Sequence, residues 1–279
     1  MTTRGFFTFA QGPEYLRQAY ALALSIKASQ AGPNGLSIGV DSIGDVPEQY
    51  RSTFDHIIEI PWGDDAKDDS WKRKNEWKAV HMSPYDETIK LDADMLFTTD
   101  ISGWWDLLKA EDFIIASTPR TYRDELVSSD YYRKAFTDNK LPNVYTAMYY
   151  FKKKDEVFEL MSMANFIFNN WQTVYEQMLL PNSRPKHVSA DVVFALAIKL
   201  MGMDCLGANI PTFVHMKSQL QNWEDAYSSE DWTTLMPSRL TDAGHLKIGG
   251  HHQLLPVHYV VKDFVTDAMI TQLEELVHG

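Results

Sequence analysis

The hydrophobic pattern of the chain begins with short apolar runs that alternate with segments of helical periodicity. Three such runs, which predict buried strands, occupy residues 5–10, 36–41 and 56–60. Between the first two runs, apolar side chains recur at helical spacing from Leu16 to Ile26, with Pro13 before them and Gly32 after them. Residues 47–54 predict a short second helix. This β-α-β-α-β order is typical of a parallel sheet covered by helices.

The rest of the chain continues the same alternation. Further strands are predicted at residues 113–117, 143–151, 206–210, 212–216 and 254–261. Further helices are predicted at residues 71–81, 100–108, 155–175, 189–201 and 264–277. The stretches without such periods predict loops, at residues 63–70, 219–239 and 251–252. The pattern as a whole predicts one large α/β domain over residues 1–279.

Composition narrows the class of protein. With 44% hydrophobic and 13% aromatic residues, the 279-residue chain can bury a sizeable core. Its single cysteine, Cys205, excludes an intrachain disulfide framework and a cysteine-based zinc site. A formal net charge of −12 argues against broad adhesion to nucleic acid or to anionic membranes. Since the sequence has neither a signal-peptide pattern nor a long apolar stretch, we expect a soluble, cytoplasmic protein without a membrane span.

Two carboxylates stand two residues apart at the end of an apolar run. Residues 89–97 place Asp92 and Asp94 directly after a predicted strand, where alternate side chains point the same way. In a parallel sheet this is the edge at which ligands collect. Carboxylates suit Mn²⁺ or Mg²⁺, ions that commonly bind substrate phosphates as well. The run therefore predicts a metal site for a sugar-nucleotide, and a solvated turn is the alternative for an isolated Asp-x-Asp.

Several motifs occur in an order that matches a known family. They are residues 74–77 in an early helix, the Asp92-Ala93-Asp94 run with its apolar flanks, a following Asp-Ile with an aromatic pair, and residues 256–259 with the sequence Pro-Val-His-Tyr. From Phe6 to Lys262 the chain resembles the retaining glycosyltransferases of family 8, the group that includes glycogenin. The resemblance implies a GT-A fold, in which a Rossmann-like, mostly parallel central sheet is flanked by helices. It also implies a nucleotide-sugar-binding half at residues 1–117 and an acceptor-side half at residues 118–279.

The resemblance also implies the ligands of the metal. In this family the two aspartates bind Mn²⁺, and a late histidine, matched here by His258, completes the protein ligands around the diphosphate. His215, at another predicted strand end, is the competing candidate. Lys262 matches the late lysine that pairs with the diphosphate, although the Gly that the glycogenin pattern has between the two is missing. Lys74 would approach the diphosphate or the donor sugar.

Other positions concern the nucleoside and the donor sugar. The first predicted strand ends near Thr8, Ala10 and Gln11, where the nucleoside base and ribose dock in this fold, and Asp41 is a candidate partner for a ribose hydroxyl. Asp191 matches the Asp of the family's Asp-Gln pair and is the candidate catalytic residue, but Val192 replaces the Gln. The family's Asn-Ser-Gly appears here as residues 146–148, Thr-Ala-Met. Contacts to the sugar there do not carry over.

Three functions compete at this point. The leading hypothesis is a metal-dependent transferase that moves a sugar from a nucleoside diphosphate, expected to be a UDP-sugar, to an acceptor hydroxyl; retention is implied by the resemblance. The second is a phosphatase of the haloacid dehalogenase type, with Asp92 as nucleophile, which usually carries the motif near its N-terminus. The third is a non-catalytic sugar-nucleotide-binding protein.

The acceptor is left open by the sequence. A glycan, a protein, a small molecule and the hydroxymethylated bases of viral DNA are all candidates. Basic residues at 72–74, Lys78 and residues 184–187 would suit a DNA backbone if they shared one face. The overall acidity opposes that interpretation.

Overall fold

A computed structural model describes residues 3–67, 72–127, 133–207, 209–217 and 232–279. The strands in this part of the chain are β1 (Arg4–Phe9), β2 (Leu36–Val40), β3 (Ile57–Glu59), β4 (Glu87–Leu91), β5 (Met95–Leu96), β6 (Phe113–Ala116), β7 (Tyr145–Lys152), β8 (Leu206–Gly207), β9 (Val214–His215), β10 (Ser238–Leu240), β11 (Leu246–Ile248), β12 (His251–His252) and β13 (Val257–His258). The α-helices are α1 (Pro13–Ser29), α2 (Glu48–Arg51), α3 (Ala79–Met82), α4 (Trp104–Leu108), α5 (Lys134–Asn139), α6 (Asp155–Asn169), α7 (Trp171–Met178), α8 (Ala190–Met201), α9 (Trp232–Leu235) and α10 (Asp267–His278).

The fold is mixed α/β around a central, mostly parallel sheet. In the described residues this sheet has seven strands in the order β3-β2-β1-β4-β7-β6-β8. The pairs β1–β2, β2–β3, β1–β4 and β6–β8 are parallel, and β7 is antiparallel to both of its neighbours. Helices cover both faces. This architecture is compatible with a Rossmann-like fold and confirms the predicted central sheet.

The N-terminal β-α-β unit follows directly from its sequence. Residues 6 and 7 of β1 are fully buried phenylalanines, so this strand is covered on both faces, as expected for a parallel sheet. Gly12 adopts a φ of 90° and lets the chain turn into α1, which begins at Pro13 because a proline at the first helical position loses no intrahelical hydrogen bond. Helix α1 then packs along the C-terminal helix, where the Tyr20 hydroxyl lies 2.7 Å from a Glu274 carboxylate oxygen.

Two hydrophobic clusters fill the molecule, one on each side of the central sheet. The first joins α1 to residues of β2, β4, α4 and the C-terminal segment. The second joins α6 and α8 to β6, β7 and the short helix α3. Because both sides are sealed by helices, the edge formed by the carboxyl ends of β1 and β4 is left for a ligand. Strand order reverses between these two strands, which is where ligands bind in open α/β sheets.

A second, small sheet extends that edge. Strand β13 pairs antiparallel with β5, placing His258 opposite Met95, and pairs parallel with β9, placing His258 opposite His215. Because β5 follows β4 after only three residues, this pairing brings the C-terminal segment beside the Asp-x-Asp run. A third sheet, β10-β11-β12, is an antiparallel meander.

Several predicted elements need correction. The helix predicted at residues 155–175 is two helices, because Asn170 has a non-helical φ of −122° and separates α6 from α7. The helix predicted at residues 71–81 is a 3₁₀ segment, Arg73–Lys78, followed by α3. Residues 251–252, predicted as a loop, form β12. The predicted loop at residues 219–239 falls mostly outside the described residues, and its remainder contains α9 and part of β10.

The other predicted helices and strands agree with the structure within a few residues at their ends. The main exceptions in length are the strands predicted at residues 206–210, 212–216 and 254–261, which are reduced to two residues each. In the described residues, no helix combines the length and the apolar character that crossing a membrane requires.

Candidate functional site

The Asp-x-Asp run lies at the carboxyl end of β4, in the turn that leads to β5. The Asp92 amide donates to the Ala147 carbonyl of β7 at 2.9 Å, and the Asp94 carbonyl accepts from the Tyr259 amide at 3.1 Å. These backbone bonds tie the turn to the central sheet on one side and to the C-terminal segment on the other. The run is therefore held between two elements distant in sequence, as a fixed metal site requires.

Asp92, Asp94 and His258 form one group. The His258 Nε2 atom lies 3.0 Å from Asp94 Oδ1 and 3.8 Å from Asp92 Oδ2. One donor atom from each of the three lies within 4.8 Å of the others, close enough for all three to share a single ion. Carboxylate oxygens and imidazole nitrogens are both common ligands of divalent metal ions, so this group could hold one.

Charge attraction links His258 to the two carboxylates. Burial alone would lower the pKa of His258, but Asp94 and Asp92 outweigh it and the net shift is upward. Burial alone would raise the pKa of Asp94, but His258 outweighs it and the net shift is downward. Since a ligating imidazole is neutral, a cation bound at this group would take the place of a proton on His258.

His215 is not part of the group of possible ligands that the described residues form. Its ring lies 5.2 Å from the His258 ring and packs against Tyr145 and Phe213. Burial, together with the neighbouring positive charges, lowers the pKa of His215 well below its usual value. His215 is therefore a neutral, packed neighbour of the site, and between the two candidate histidines the geometry favours His258.

A cavity of about 410 Å³ opens beside this group. It lies at the carboxyl ends of β1 and β4, and its walls come from the β1 exit, the segment before α3, β7, the start of α8 and the segment after β13. Several cationic side chains line it, namely Lys72, Arg73, Lys90, Lys217 and Lys262. The same walls carry the carboxylates Glu76, Asp92, Asp94 and Asp191, so the lining of the cavity contains charges of both signs.

Lys90 fixes one oxygen of Asp92. Its Nζ atom lies 2.9 Å from Asp92 Oδ1, 2.5 Å from Glu76 Oε1 and 3.3 Å from the Thr146 carbonyl oxygen. Burial raises the pKa of Glu76 to about 7. Burial would lower the pKa of Lys90, but the two carboxylates raise it, so this amine stays charged. With Oδ1 of Asp92 held by Lys90, Oδ2 is the oxygen that faces His258.

Asp191 lines the same cavity but is fully engaged by the protein. Its Oδ2 accepts from Arg133 at 2.5 Å, and its Oδ1 accepts from the Thr146 amide at 2.8 Å and the Thr146 hydroxyl at 2.7 Å. Burial would raise the pKa of Asp191, but the Arg133 guanidinium and the Thr146 hydrogen bonds lower it overall. Arg133 itself is buried and stacks on the Tyr145 ring. Asp191 is thus a permanent anion in a structural clamp.

Only some of the positions predicted to bind the nucleoside line the cavity. Thr8 and Gln11 line the cavity, whereas Ala10 is buried and is not among its walls. Asp41 lies behind Gln11 and accepts from its side-chain amide at 2.6 Å. Asn75 donates to the other end of the Gln11 amide at 2.9 Å. The Gln11 side chain is therefore held rigidly between two partners at the cavity wall.

Only some of the predicted basic residues line the cavity. Lys262 lines the cavity, where its Nζ lies 2.8 Å from Glu14 Oε2 and 4.3 Å from the centre of the Tyr15 ring. Lys74 does not line the cavity, and its neighbours Lys72 and Arg73 do. Lys78 is buried and pairs with Asp65 at 3.1 Å, so it cannot contribute to a DNA-binding face.

Sequence reasoning missed Glu76, Lys90 and Arg133. A lysine inside an otherwise apolar strand, as in the run Thr-Ile-Lys-Leu of β4, was the available signal for Lys90, because a buried lysine needs a carboxylate partner. Arg133 has no such local signal. No protein-family model matches this chain, and no curated protein matches its sequence.

Proposed function

We propose that this protein is a metal-dependent glycosyltransferase that moves a sugar from a nucleoside diphosphate, with a UDP-sugar as the expected donor, to an acceptor hydroxyl. The observation that carries the proposal is the meeting of Asp92, Asp94 and His258 beside a cavity at the carboxyl end of the parallel strands. The family 8 resemblance adds the GT-A fold as the proposed finer class and Mn²⁺ as the preferred ion.

The chain's own residues have distinct roles in this proposal. Asp92, Asp94 and His258 would hold the ion, which when bound neutralises the negative charge that grows on the departing diphosphate. Lys90 holds one oxygen of Asp92 and leaves the other turned toward His258. Lys262 supplies a cation to the phosphate oxygens, exchanging its present partner Glu14 for them.

Asp191 acts in this scheme as a positioning residue. Because both of its oxygens already accept hydrogen bonds, it holds the cavity wall rather than attacking the anomeric carbon. A retaining reaction would then follow front-face attack assisted by the leaving phosphate, without a protein nucleophile. The catalytic role predicted for Asp191 stays a prediction, and the proposal gives this residue the orientation of the donor sugar through Thr146 and Arg133.

Calorimetric titration with nucleoside diphosphates tests the proposal. We expect UDP, or another member of a panel of nucleoside diphosphates, to bind only when Mn²⁺ is present. Asp94→Asn should weaken that binding by about 100-fold or more, since loss of an ion's outer partners alone costs roughly 10- to 100-fold. Asp106→Asn, at a carboxylate whose side chain is 73% exposed, is the matched control and should change nothing. Binding that is indifferent to Mn²⁺ or to Asp94→Asn contradicts the proposal.

Turnover separates the transferase from its two alternatives. Incubation with nucleoside diphosphate sugars and Mn²⁺ should release nucleoside diphosphate, faster when a suitable acceptor is added. Rapid hydrolysis of generic phosphate esters without sugar transfer would favour the haloacid dehalogenase-type phosphatase. Donor binding with neither hydrolysis nor transfer would favour the non-catalytic binder.

A further inference from the structure

An exposed indole stands on the surface, on a loop that hydrogen bonds link to the wall of the cavity. Trp62 is 67% exposed although it is one of the largest apolar side chains. Its ring lies nearly parallel to that of Trp77, with an interplanar angle of 7° and 5.7 Å between ring centroids. His81 contacts both indoles edge-on at 5.1 and 5.8 Å, and Phe158 packs behind it. We call Trp62, Trp77 and His81 the aromatic platform.

The backbone that carries Trp62 is held in an unfavourable conformation by neighbouring contacts. Trp62 has a φ of 60°, a region that bulky residues rarely enter, and Gly63 follows with a φ of 82°. The buried Lys78 amine donates to the Gly63 carbonyl at 2.5 Å, and the Trp77 indole N–H donates to Asp65 at 3.2 Å. Strain of this kind persists only where surrounding contacts impose it, and it clusters at ligand-binding positions.

The size of the platform limits its occupant. Trp77 and Phe158 are half-buried, so the open surface is mainly one indole face and the exposed edge of His81. An aromatic side chain can cover roughly 150–250 Å², whereas a stable protein interface needs about 800 Å² from each partner. The platform therefore matches one or two pyranose rings, whose apolar C–H faces stack on indoles, and is too small to hold a protein partner by itself.

The charge of the surroundings disfavours a nucleic acid. Asp64 and Asp65 lie on the loop that carries Trp62, and hydrogen bonds from Asn75 and Ala66 help to lower the pKa of Asp64 against the opposing effect of burial, so this carboxylate is ionised. Among the nearby cations, Lys78 is buried and paired with Asp65, and Lys72 donates to the Ala66 and Lys67 carbonyls. Lys153 adds to the effect of burial in lowering the pKa of His81. Charges of both signs therefore surround the platform, which offers a phosphate backbone no continuous positive surface, whereas a neutral sugar finds carboxylate and imidazole groups for its hydroxyls.

We infer that the aromatic platform binds a hexose ring of a neutral glycan, and that this glycan is the acceptor. The loop of the platform is tied to the wall of the cavity, since the Asp65 amide donates to Asn75 at 3.2 Å and Asn75 donates to Gln11 at 2.9 Å. The inference that a glycan binds depends on the platform alone. The inference that this glycan is the acceptor also rests on the proposed function.

Binding to oligosaccharides tests the inference without nucleotide or metal. Maltohexaose, cellohexaose and mannohexaose are titrated into the whole protein while tryptophan fluorescence and calorimetric heat are followed. We expect at least one to bind, and Trp62→Gly to weaken it by about tenfold or more because the stacking surface is lost. Glycine accepts the φ of 60° at residue 62 without strain, so this variant should keep its thermal unfolding midpoint. Leu107→Ala, at a leucine 64% exposed on α4, is the matched control.

The outcomes separate the two proposals. If Trp62→Gly loses oligosaccharide binding while Mn²⁺-dependent nucleotide binding is unchanged, the platform is a glycan site, and an acceptor KM that rises with an unchanged donor KM then makes that glycan the acceptor. If no oligosaccharide binds at millimolar concentration, or if binding survives Trp62→Gly, the inference is overturned. A change of oligomeric state on Trp62→Gly, seen by light scattering, would also overturn it in favour of a protein interface.

Discussion

Two carboxylate sites face the same cavity and differ in how completely the protein satisfies them. At Asp191, both oxygens accept hydrogen bonds, from Arg133 on one side and from the amide and hydroxyl of Thr146 on the other. At the group of Asp92, Asp94 and His258, Lys90 holds one oxygen of Asp92, and the other oxygen faces His258 together with Asp94. We call Asp191 with Arg133 and Thr146 the closed clamp, because the protein supplies donors to both carboxylate oxygens. We call Asp92, Asp94 and His258 the open group, because oxygens there remain for a ligand.

This difference separates a structural role from a binding role. A carboxylate that accepts hydrogen bonds from a buried guanidinium and from two other donors of the protein keeps a fixed charge and a fixed orientation. The two carboxylates beside His258 could accept a cation in exchange for a proton of the imidazole, because a ligating imidazole is neutral. The two sites also divide the cavity, with the open group at the β4 end and the closed clamp at the start of α8.

The largest expected effect is at the closed clamp. Asp191→Ala should lower the free energy of unfolding by about 3 kcal/mol or more, because it leaves the buried Arg133 guanidinium without its carboxylate. Urea unfolding at pH 7 measures this. Asp94→Asn at the open group should change stability by less, about 1 kcal/mol, because His258 can release its proton when the carboxylate is gone, whereas the Arg133 guanidinium stays charged. Equal losses for the two variants would erase the distinction between closed and open sites.

Acid provides an independent check on the clamp. The pKa of Asp191 in the folded protein is below its ordinary value, so its contribution to stability is complete above the unfolded pKa of about 4. That contribution is lost as the pH falls through the folded value. The stability difference between wild type and Asp191→Asn should therefore shrink when unfolding is repeated from pH 6 down to pH 3.5. A difference that stays constant over this range would mean that Asp191 is not held as an anion.

The order of elements along the first half of the chain is predictable because its signals are local. Short apolar runs identify β1, β2 and β3, a period of 3.6 residues identifies α1, and Gly12 with Pro13 fixes where α1 begins. The sequence did not predict the break between α6 and α7 at Asn170, because the helical spacing of apolar residues continues across it. The short strands after α8 were overextended, since nothing local shows how many residues of an apolar run find a partner strand.

The candidate site was predictable to the extent that its residues come in motifs. Asp92 and Asp94 are neighbours in sequence, and His258 was found through its flanking residues. The closed clamp joins Arg133 to Asp191 across 58 positions, and no local pattern connects a lone arginine to a carboxylate that far away. The choice between His215 and His258 likewise required the register of β13 against β9.

A smaller effect is expected behind the open group, at the Lys90 pair. Lys90→Met should lower the free energy of unfolding by about 2 kcal/mol at pH 8, because the buried Glu76 loses the cation that lies 2.5 Å from it. Burial already raises the pKa of Glu76 to about 7, and loss of Lys90 raises it further. An acid whose pKa is raised on folding destabilises the protein increasingly as the pH rises from the unfolded pKa to the folded pKa, so the deficit of Lys90→Met should be smaller at pH 5 than at pH 8.

The double variant Lys90→Met with Glu76→Gln isolates this pair. With no ionisable group at residue 76, the pH dependence of the Lys90→Met deficit should disappear, and the two substitutions should be less than additive. A deficit that keeps the same size from pH 5 to pH 8 in both backgrounds would show that Lys90 acts on Asp92 alone. Lys90 would then stabilise the open group through Asp92 and would not stabilise the buried Glu76.

The smallest expected effect separates the contribution of the Thr146 hydroxyl from that of Arg133 within the clamp. Thr146→Val removes the hydroxyl that lies 2.7 Å from Asp191 Oδ1 but leaves the Thr146 amide, which donates to the same oxygen at 2.8 Å. We expect a loss of about 1 kcal/mol in urea unfolding, since one neutral donor to a carboxylate is missing and the carboxylate keeps its other partners. Thr137→Val, at an exposed threonine of α5, is the matched control and should stay within a few tenths of a kcal/mol. A loss as large as that of Asp191→Ala would mean that the hydroxyl, and not Arg133, holds the anion, and the clamp would then be no more closed than the group around Asp92.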